Sequence, residues 1–282
     1  MNIKCFFPPL KDVLGVILAF LFALNIQAQS YELGVKQIIE ALAVDSLGKA
    51  EDMILQTLRL DPARKSNAIL YQYLGEIYRQ RGDIQHAIDS YTKGIDISPT
   101  THEPFLCRAS LYLQLNNYNR ALSDYNKVLE LEPNDEDALF YRAYIFSVQR
   151  KYKEARTDYN LLLVTNPMHE NARLGLAILN SKDSRLHEAL EQLDALVQFY
   201  PNHAKHYLVR CGIYERQKEY EKALKDIKKA IELEPENPEC YITRASLYLA
   251  MKKKHHASQD CRTAIRLGAS LDQVAPLLGK RK

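Results

Sequence analysis

The chain has 282 residues, of which 46% are hydrophobic and 26% are charged, a balance typical of a globular protein rather than a disordered one. Its net charge of +3 provides no basic field of the kind that drives nucleic-acid binding, so nucleic acid is excluded as the principal partner. Glycine and proline are scarce, and long stretches rich in Ala, Leu, Glu and Lys predict helices.

The first segment, residues 1–28, has the pattern of a secretory signal. Two lysines precede an uncharged apolar run from Val13 to Leu24, and a small residue, Ala28, closes the segment. A run of this length is short for a span of the bilayer. We expect cleavage after Ala28 and export to the periplasm or cell envelope. Asp12 is atypical of a signal and keeps an uncleaved membrane anchor as the alternative, in which case this segment is the membrane contact.

Two rows of residues divide the rest of the chain at a constant interval of 34 positions. One fixed position in the second half of each interval is always alanine, and one fixed position near its end is proline in every interval except the last. The rows are Ala87, Ala121, Ala155, Ala189, Ala223 and Ala257, and Pro99, Pro133, Pro167, Pro201 and Pro235. A period of this length is typical of an array of small structural repeats.

Each interval contains the pattern of two helices. Phe105, Ala109 and Tyr112 lie at i, i+4 and i+7, which is one face of a helix, and a polar turn at Asn116 and Asn117 follows. A second helix with the same spacing continues until the next proline, which cannot join the helical hydrogen bonding. Neither helix can bury its apolar stripe alone, so we expect successive pairs to stack.

The unit that begins Tyr71-x2-Leu74-Gly75-x2-Tyr78 and continues with Ala87, Tyr91 and Pro99 resembles the tetratricopeptide repeat, with tyrosine in place of the usual tryptophan. This resemblance implies an all-α, right-handed superhelical solenoid of about seven helix-turn-helix repeats with a C-terminal capping helix. It covers nearly all of the chain after residue 28. As a guide to function it is weak, because the family is defined by shape and serves many partners.

The signal pattern and the resemblance together predict four parts of the chain. A signal peptide at 1–28 precedes a degenerate first hairpin and linker at 29–67. A capping helix and basic tail at 272–282 end the chain. Between them, residues 68–271 form six repeats at 68–101, 102–135, 136–169, 170–203, 204–237 and 238–271.

A charged pair varies together from repeat to repeat. Four repeats carry an arginine near the start of the first helix and an aspartate sixteen residues later, whereas the other two have Leu74 with Ser90 and Leu176 with Gln192. Joint loss predicts that the partners lie within one repeat, as structural ion pairs, because arginine at a buried face needs a counterion. The predicted pairs are Arg108 with Asp124, Arg142 with Asp158, Arg210 with Asp226, and Arg244 with Asp260.

A further row of large apolar side chains follows the first helices, which line the concave surface in the family that the chain resembles. We interpret this row as a groove for an apolar or amphipathic peptide. The alternative is that the same side chains thicken the contacts between neighbouring first helices, and both can hold. The predicted groove residues are Leu106, Leu113, Phe140, Tyr144, Leu174, Ile178, Leu208, Ile242 and Leu249.

Catalytic and cofactor motifs are missing from the sequence. We find no glycine-rich phosphate loop, no Gly-x-Ser-x-Gly elbow and no metal-ligand spacing, and we interpret His169 and His203 as turn residues. Cys211 and Cys261 occupy packing positions and are expected to be buried thiols, although an oxidised pair stays open. The sequence therefore predicts a non-enzymatic scaffold without a cofactor that binds a protein or peptide. The alternative is a structural subunit or assembly factor of a cell-envelope complex.

Overall fold

The computed structural model describes residues 29–42 and 46–278, and within these residues every regular element is an α-helix. The predicted signal at 1–28 and the end of the basic tail at 279–282 lie outside the described residues. The prediction of an all-α fold built from consecutive helix pairs is confirmed. The chain divides into two compact units, residues 1–133 and 134–282.

The first unit contains three helix pairs within its described residues. Their cores are continuous: Tyr31 and Ile38 of the first helix, Ile54 of the second and Leu70 of the third lie in one buried cluster. The helices are α1 (residues 29–42), α2 (Leu47–Leu60), α3 (Asn67–Gln80), α4 (Ile84–Ile97), α5 (Glu103–Gln114) and α6 (Tyr118–Leu131).

The linker between α2 and α3 is longer than the other connections between repeats, and Tyr31 holds it in place. The hydroxyl group of Tyr31 donates to Oδ1 of Asn67 at 2.9 Å, and the ring of Tyr31 lies under the guanidinium of Arg64. Asn67 in turn donates to the carbonyl of Asp61 at 2.7 Å. The degenerate first hairpin is thereby tied to the start of the first regular repeat.

The second unit contains four helix pairs and a final short helix within its described residues. The two helices of each pair contact each other, and the second helix of each pair contacts the first helix of the next. The helices are α7 (Glu136–Val148), α8 (Tyr152–Thr165), α9 (Glu170–Lys182), α10 (Leu186–Phe199), α11 (Ala204–Arg216), α12 (Tyr220–Leu233), α13 (Pro238–Ala250), α14 (Lys254–Arg266) and α15 (Leu271–Leu278).

The alanine row lies inside the helix pairs. Every member from Ala87 to Ala257 is fully or almost fully buried. A methyl group is small enough to let two helices joined by a short turn approach closely. The row of alanines therefore sets the spacing within each pair.

The turn inside each helix pair from α3–α4 to α13–α14 has a left-handed residue at a fixed position. In α3 the chain leaves the helix through Gly82, with φ of +78°, and the amide of Asp83 donates to the carbonyl of Tyr78 while that of Gly82 donates to Arg79. These two bonds define a Schellman motif, which satisfies the last carbonyls of a helix. The same left-handed position recurs every 34 residues at Asn116, Arg150, Ser184, Lys218 and Lys252.

Candidate functional site

One face of the second unit is formed by first helices alone. α7 contacts α9, α9 contacts α11, and α11 contacts α13, so these four helices lie side by side. The predicted groove residues of this unit all belong to these helices. In the first unit, the predicted groove residues Leu106 and Leu113 lie on α5 and are half-buried.

Several of the predicted groove residues contribute to packing between helices. The ring centroid of Phe140 lies 6.0 Å from that of Tyr159 and 5.8 Å from that of His169. Leu174 is only 6% exposed and belongs to a core cluster with Ala177 and its neighbours, so it contributes to the core rather than to the surface. The remaining half-buried members of the row lean against the core clusters of the second unit; they are Ile178, Leu208, Ile242 and Leu249.

Two neighbouring side chains of α7 expose a large apolar surface. Tyr144, a predicted groove residue, is 45% exposed, and Val148, one turn further along the same helix, is 44% exposed. Val148 is not among the predicted groove residues, although its i+4 spacing from Tyr144 is the signal that would have identified it. These two residues form the most accessible apolar patch on α7.

A pocket of about 360 Å³ opens beside Leu208, between α11 and the start of α13. Leu208 and Val209 supply its apolar wall, whereas Lys205 and Glu239 bring charge of both signs to its rim. A pocket with an apolar wall and a charged rim suits an amphipathic peptide better than a small uncharged ligand.

All four predicted arginine–aspartate pairs meet in the structure. In each pair Nε and Nη2 of the arginine donate to the two carboxylate oxygens of the aspartate, at 2.7–2.8 Å. The aspartates Asp124, Asp158, Asp226 and Asp260 are all buried. This two-point geometry is the strongest that a guanidinium and a carboxylate adopt.

Two of these arginines also reach back to the preceding repeat. Nη1 of Arg108 donates to Oγ1 of Thr92, and Nη1 of Arg210 donates to Oδ1 of Asp194, both at 2.8 Å. Burial lowers the pKa of Arg210, but the hydrogen bond and charge of Asp226 outweigh it, so the net pKa is raised. Its guanidinium is therefore a permanent cation that ties three helices together.

In the two repeats that lack the pair, a leucine replaces the arginine and an uncharged polar residue replaces the aspartate. Leu74 is buried, and Oγ of Ser90 donates to the carbonyl of His86 one turn earlier at 2.8 Å. In the other repeat Leu176 is buried and Gln192 accepts from Nη1 of Arg173 at 2.8 Å.

One carboxylate and two imidazoles converge where α9 and α11 begin. Nδ1 of His203 lies 2.7 Å from Oε1 of Glu170, and Nε2 of His206 lies 3.0 Å from the same oxygen. Sequence spacing hides this cluster, because Glu170 precedes His203 by 33 residues. The 34-residue period is the signal that would have revealed it, since it superposes the start of α9 on the start of α11.

His206 is 1% exposed, yet neither of its ring nitrogens makes a well-aligned hydrogen bond with a described residue. A buried polar group in this condition costs about 1–3 kcal/mol. Burial lowers the pKa of His206, and the neighbouring His203 acts in the same direction against the opposing charge of Glu170. Burial is the largest of these influences, and it favours the neutral imidazole.

Four cysteines lie among the described residues, and all are free thiols. Burial raises the pKa of Cys211 to about 12 and that of Cys240 to about 11. Such thiols are poor nucleophiles, because the thiolate is the reactive form.

No helix of the described residues combines the length and apolarity that crossing a bilayer requires.

Five family models described as tetratricopeptide repeat match the chain, at residues 68–101, 103–135, 124–157, 147–204 and 207–237. Together they cover the region in which the 34-residue period is strongest. No curated protein sequence matches the chain.

Solved structures of similar fold include a tetratricopeptide repeat protein from Parabacteroides merdae ATCC 43184, 28% identical, with a TM-score of 0.66 over 89% of this chain and 98% of that one. PilW, described as a widely conserved type IV pilus biogenesis factor, is 15% identical, with a TM-score of 0.65 over 75% and 98% of the two chains. YrrB, described as having an unusual peptide-binding site, is 20% identical, with a TM-score of 0.54 over 67% and 97%. At these identities PilW and YrrB are similar in fold alone.

Proposed function

The chain belongs to the tetratricopeptide-repeat family, and from that premise we propose that it is a non-enzymatic scaffold whose first helices bind a peptide segment of a partner protein. The repeat fold supports protein–protein interaction in general. The proposal goes beyond this general role in three respects: the binding site, the chemistry of the bound segment and the location of the protein in the cell.

The accessible apolar patch of Tyr144 and Val148 carries this proposal. Both side chains lie on a first helix and remain about half exposed although the core of the unit is well packed. The pocket at Leu208 adds a second apolar contact on a first helix of the same unit. An amphipathic segment would bury these side chains and leave its polar groups at the charged rim.

Export is a second element of the proposal. The pattern of a secretory signal at 1–28 supports it, and the partner would then be a protein of the periplasm or cell envelope. The non-enzymatic character rests on the lack of catalytic motifs in the sequence.

A second candidate function is that of a structural subunit or assembly factor that uses the second helices for contact. On α8 the side chain of Val164 is 77% exposed and that of Leu161 is 39% exposed, which leaves an apolar patch on the other helix of the same pair. A cavity of about 650 Å³ lined by Val197, Leu224 and charged residues of α12 also lies beside the second helices.

Two matched double variants separate the candidates. Tyr144→Glu/Val148→Glu places two charges on the first helix α7, and Leu161→Glu/Val164→Glu places two charges on the second helix α8. Each is used to capture partners from an envelope extract alongside the unchanged chain, and circular dichroism verifies that helicity is retained.

We expect the α7 variant to lose the captured partners, since burying a carboxylate in an apolar contact is strongly unfavourable, while the α8 variant keeps them. The opposite pattern would favour the second candidate. Capture that neither variant changes would contradict the proposed surface.

A further inference from the structure

Glu170, His203 and His206 offer ligand atoms that all lie within 4.8 Å of one another. We propose that these three residues bind a divalent transition-metal ion of the zinc type, which clamps the start of α9 to the start of α11.

The side chain of His203 is directed toward Glu170 and does not cap its helix, as the equivalent residue of the preceding repeat does. It precedes α11 as His169 precedes α9, one repeat earlier. Nδ1 of His169 accepts from the amide of Ala172 at 3.0 Å and so caps its helix. The side chain of His203 makes no such cap, and its Nδ1 points to Glu170 instead.

His206 supplies a buried imidazole whose Nε2 lies 3.0 Å from Oε1 of Glu170 but is not aligned for a hydrogen bond with it. Its ring nitrogens make no well-aligned hydrogen bond with a described residue although the side chain is almost completely enclosed. Tyr200 fixes the orientation of the two histidine rings, because it stacks on His203 and meets His206 edge to face. The hydroxyl group of Tyr200 is itself held by the carbonyl of Met168 at 2.6 Å.

Two imidazoles and one carboxylate form a ligand set that zinc accepts, with one position left open in a tetrahedral geometry. Bonds of about 2.1 Å to such an ion separate neighbouring ligand atoms by about 3.4 Å. The contacts of 2.7 and 3.0 Å at Oε1 of Glu170 would widen, by about 0.7 and 0.4 Å respectively, to admit the ion. Because the side chain of His203 is half exposed, water can reach the cluster and fill the open position.

The full chain, reduced and free of metal, is titrated with Zn²⁺ against a chromophoric chelator, and its melting temperature is measured with and without the ion. Two variants remove ligands without disturbing the helices. Glu170→Gln preserves the volume of the side chain. His203→Asn introduces the residue that caps α13 at the equivalent position, Asn237.

The matched control is His187→Gln. His187 lies 3.2 Å from Glu191 on the exposed face of α10, so the control removes a histidine–glutamate pair outside the cluster. Co²⁺ serves as a spectroscopic probe, since thiolate ligation would add an intense near-ultraviolet band that imidazole and carboxylate do not.

We expect one ion per chain, a melting temperature raised by Zn²⁺, and a Co²⁺ spectrum without the thiolate band. Both ligand variants should weaken the affinity by at least roughly tenfold and abolish the thermal shift, whereas His187→Gln should change neither. The proposal fails if the unchanged chain binds no Zn²⁺, if the control weakens binding as much as the ligand variants do, or if the thiolate band appears.

Discussion

At the scale of single residues, the buried arginine–aspartate pairs are the feature with the largest expected effect on stability. A buried pair contributes little net stability relative to an apolar pair, but removing one partner leaves an uncompensated charge. Arg244 with Asp260 is the simplest example, because both hydrogen bonds that the structure describes for Arg244 go to this aspartate.

Asp260→Ala should lower the free energy of unfolding by about 3 kcal/mol, because it strands the guanidinium of Arg244 at a largely buried position. The double variant Arg244→Leu/Asp260→Ser should lose clearly less. It recreates Leu74 and Ser90, whose hydroxyl group bonds to the carbonyl of His86. Urea denaturation of the three proteins measures the difference, and equal losses in the two variants would contradict the assignment.

The partners in these pairs could be predicted from one sequence because the repeats serve as an internal alignment. Leu74 with Ser90 and Leu176 with Gln192 show the loss of both partners together. The additional bond from Arg210 to Asp194 could not be predicted, since it depends on how one repeat is rotated against the next. The cluster at Glu170 was missed because its residues are far apart in the sequence, although the 34-residue period superposes the start of α9 on the start of α11.

At the scale of helices, the left-handed turn inside the six pairs from α3–α4 to α13–α14 is the feature that sequence propensity identifies least well. Gly82 is an expected choice at such a position, whereas Arg150, Lys218 and Lys252 adopt a φ of about +60° that costs a residue with a Cβ about 1–2 kcal/mol. The Schellman hydrogen bonds hold these residues in place.

Arg150→Gly should therefore raise the free energy of unfolding by about 0.5–1 kcal/mol, because relief of the strained φ outweighs the greater freedom of glycine in the unfolded chain. Gly82→Ala is the reverse test, because it places a Cβ at the equivalent left-handed position. A Cβ at Gly82 meets nothing within 4 Å, so a loss of about 1 kcal/mol there would come from backbone conformation alone. Urea midpoints that move in the opposite directions would contradict this explanation.

The helices themselves were predictable, since their periodicity is strong and every pair ends at a fixed phase. The linker between α2 and α3 was less so. Three extra residues near Arg64 signal that this connection is longer, but the contact of Tyr31 with Asn67 that orders it joins residues from different repeats. Leu174 was predicted to lie on the groove surface because the same position is apolar in every repeat from 102–135 onward, although packing takes it into the core.

At the scale of the whole molecule, the buried thiols make stability depend on alkaline pH. Burial holds the pKa of Cys211 near 12 and that of Cys240 near 11, whereas an unfolded thiol titrates near 8.5–9. A raised folded pKa means that the stability is fully present below the unfolded pKa. It is lost progressively as pH rises from there toward the folded pKa.

Between pH 7 and pH 10, Cys211 should account for a loss of about 1–2 kcal/mol in the free energy of unfolding. Cys211→Ala should remove this part of the alkaline loss and leave the fold intact, because Ala109, Ala143, Ala177 and Ala245 fill the same position in other repeats and are fully buried. Urea denaturation under reducing conditions at the two pH values provides the test. An alkaline loss identical in both proteins would count against it.

The apolar patch on α7 is the feature of a single helix on which the proposed function of the whole molecule depends. Stacking buries the stripe that each helix directs at its neighbours, and what remains exposed on a first helix is free to contact a partner. Tyr144 was predicted as part of this surface because it is an apolar residue one helical turn after Phe140. The extent to which Tyr159 and His169 cover the ring of Phe140 depends on packing that the sequence does not reveal.

Photocrosslinking in the native cell tests the proposed surface most directly. A benzoyl-phenylalanine replaces Tyr144 on α7 in one strain and Val164 on α8 in another, and adducts are identified by mass spectrometry. Position 144 should yield a discrete adduct whose crosslinked residues lie in one short apolar or amphipathic segment, and position 164 should not yield it. Adducts at 164 in the absence of any at 144 would contradict binding on the first helices.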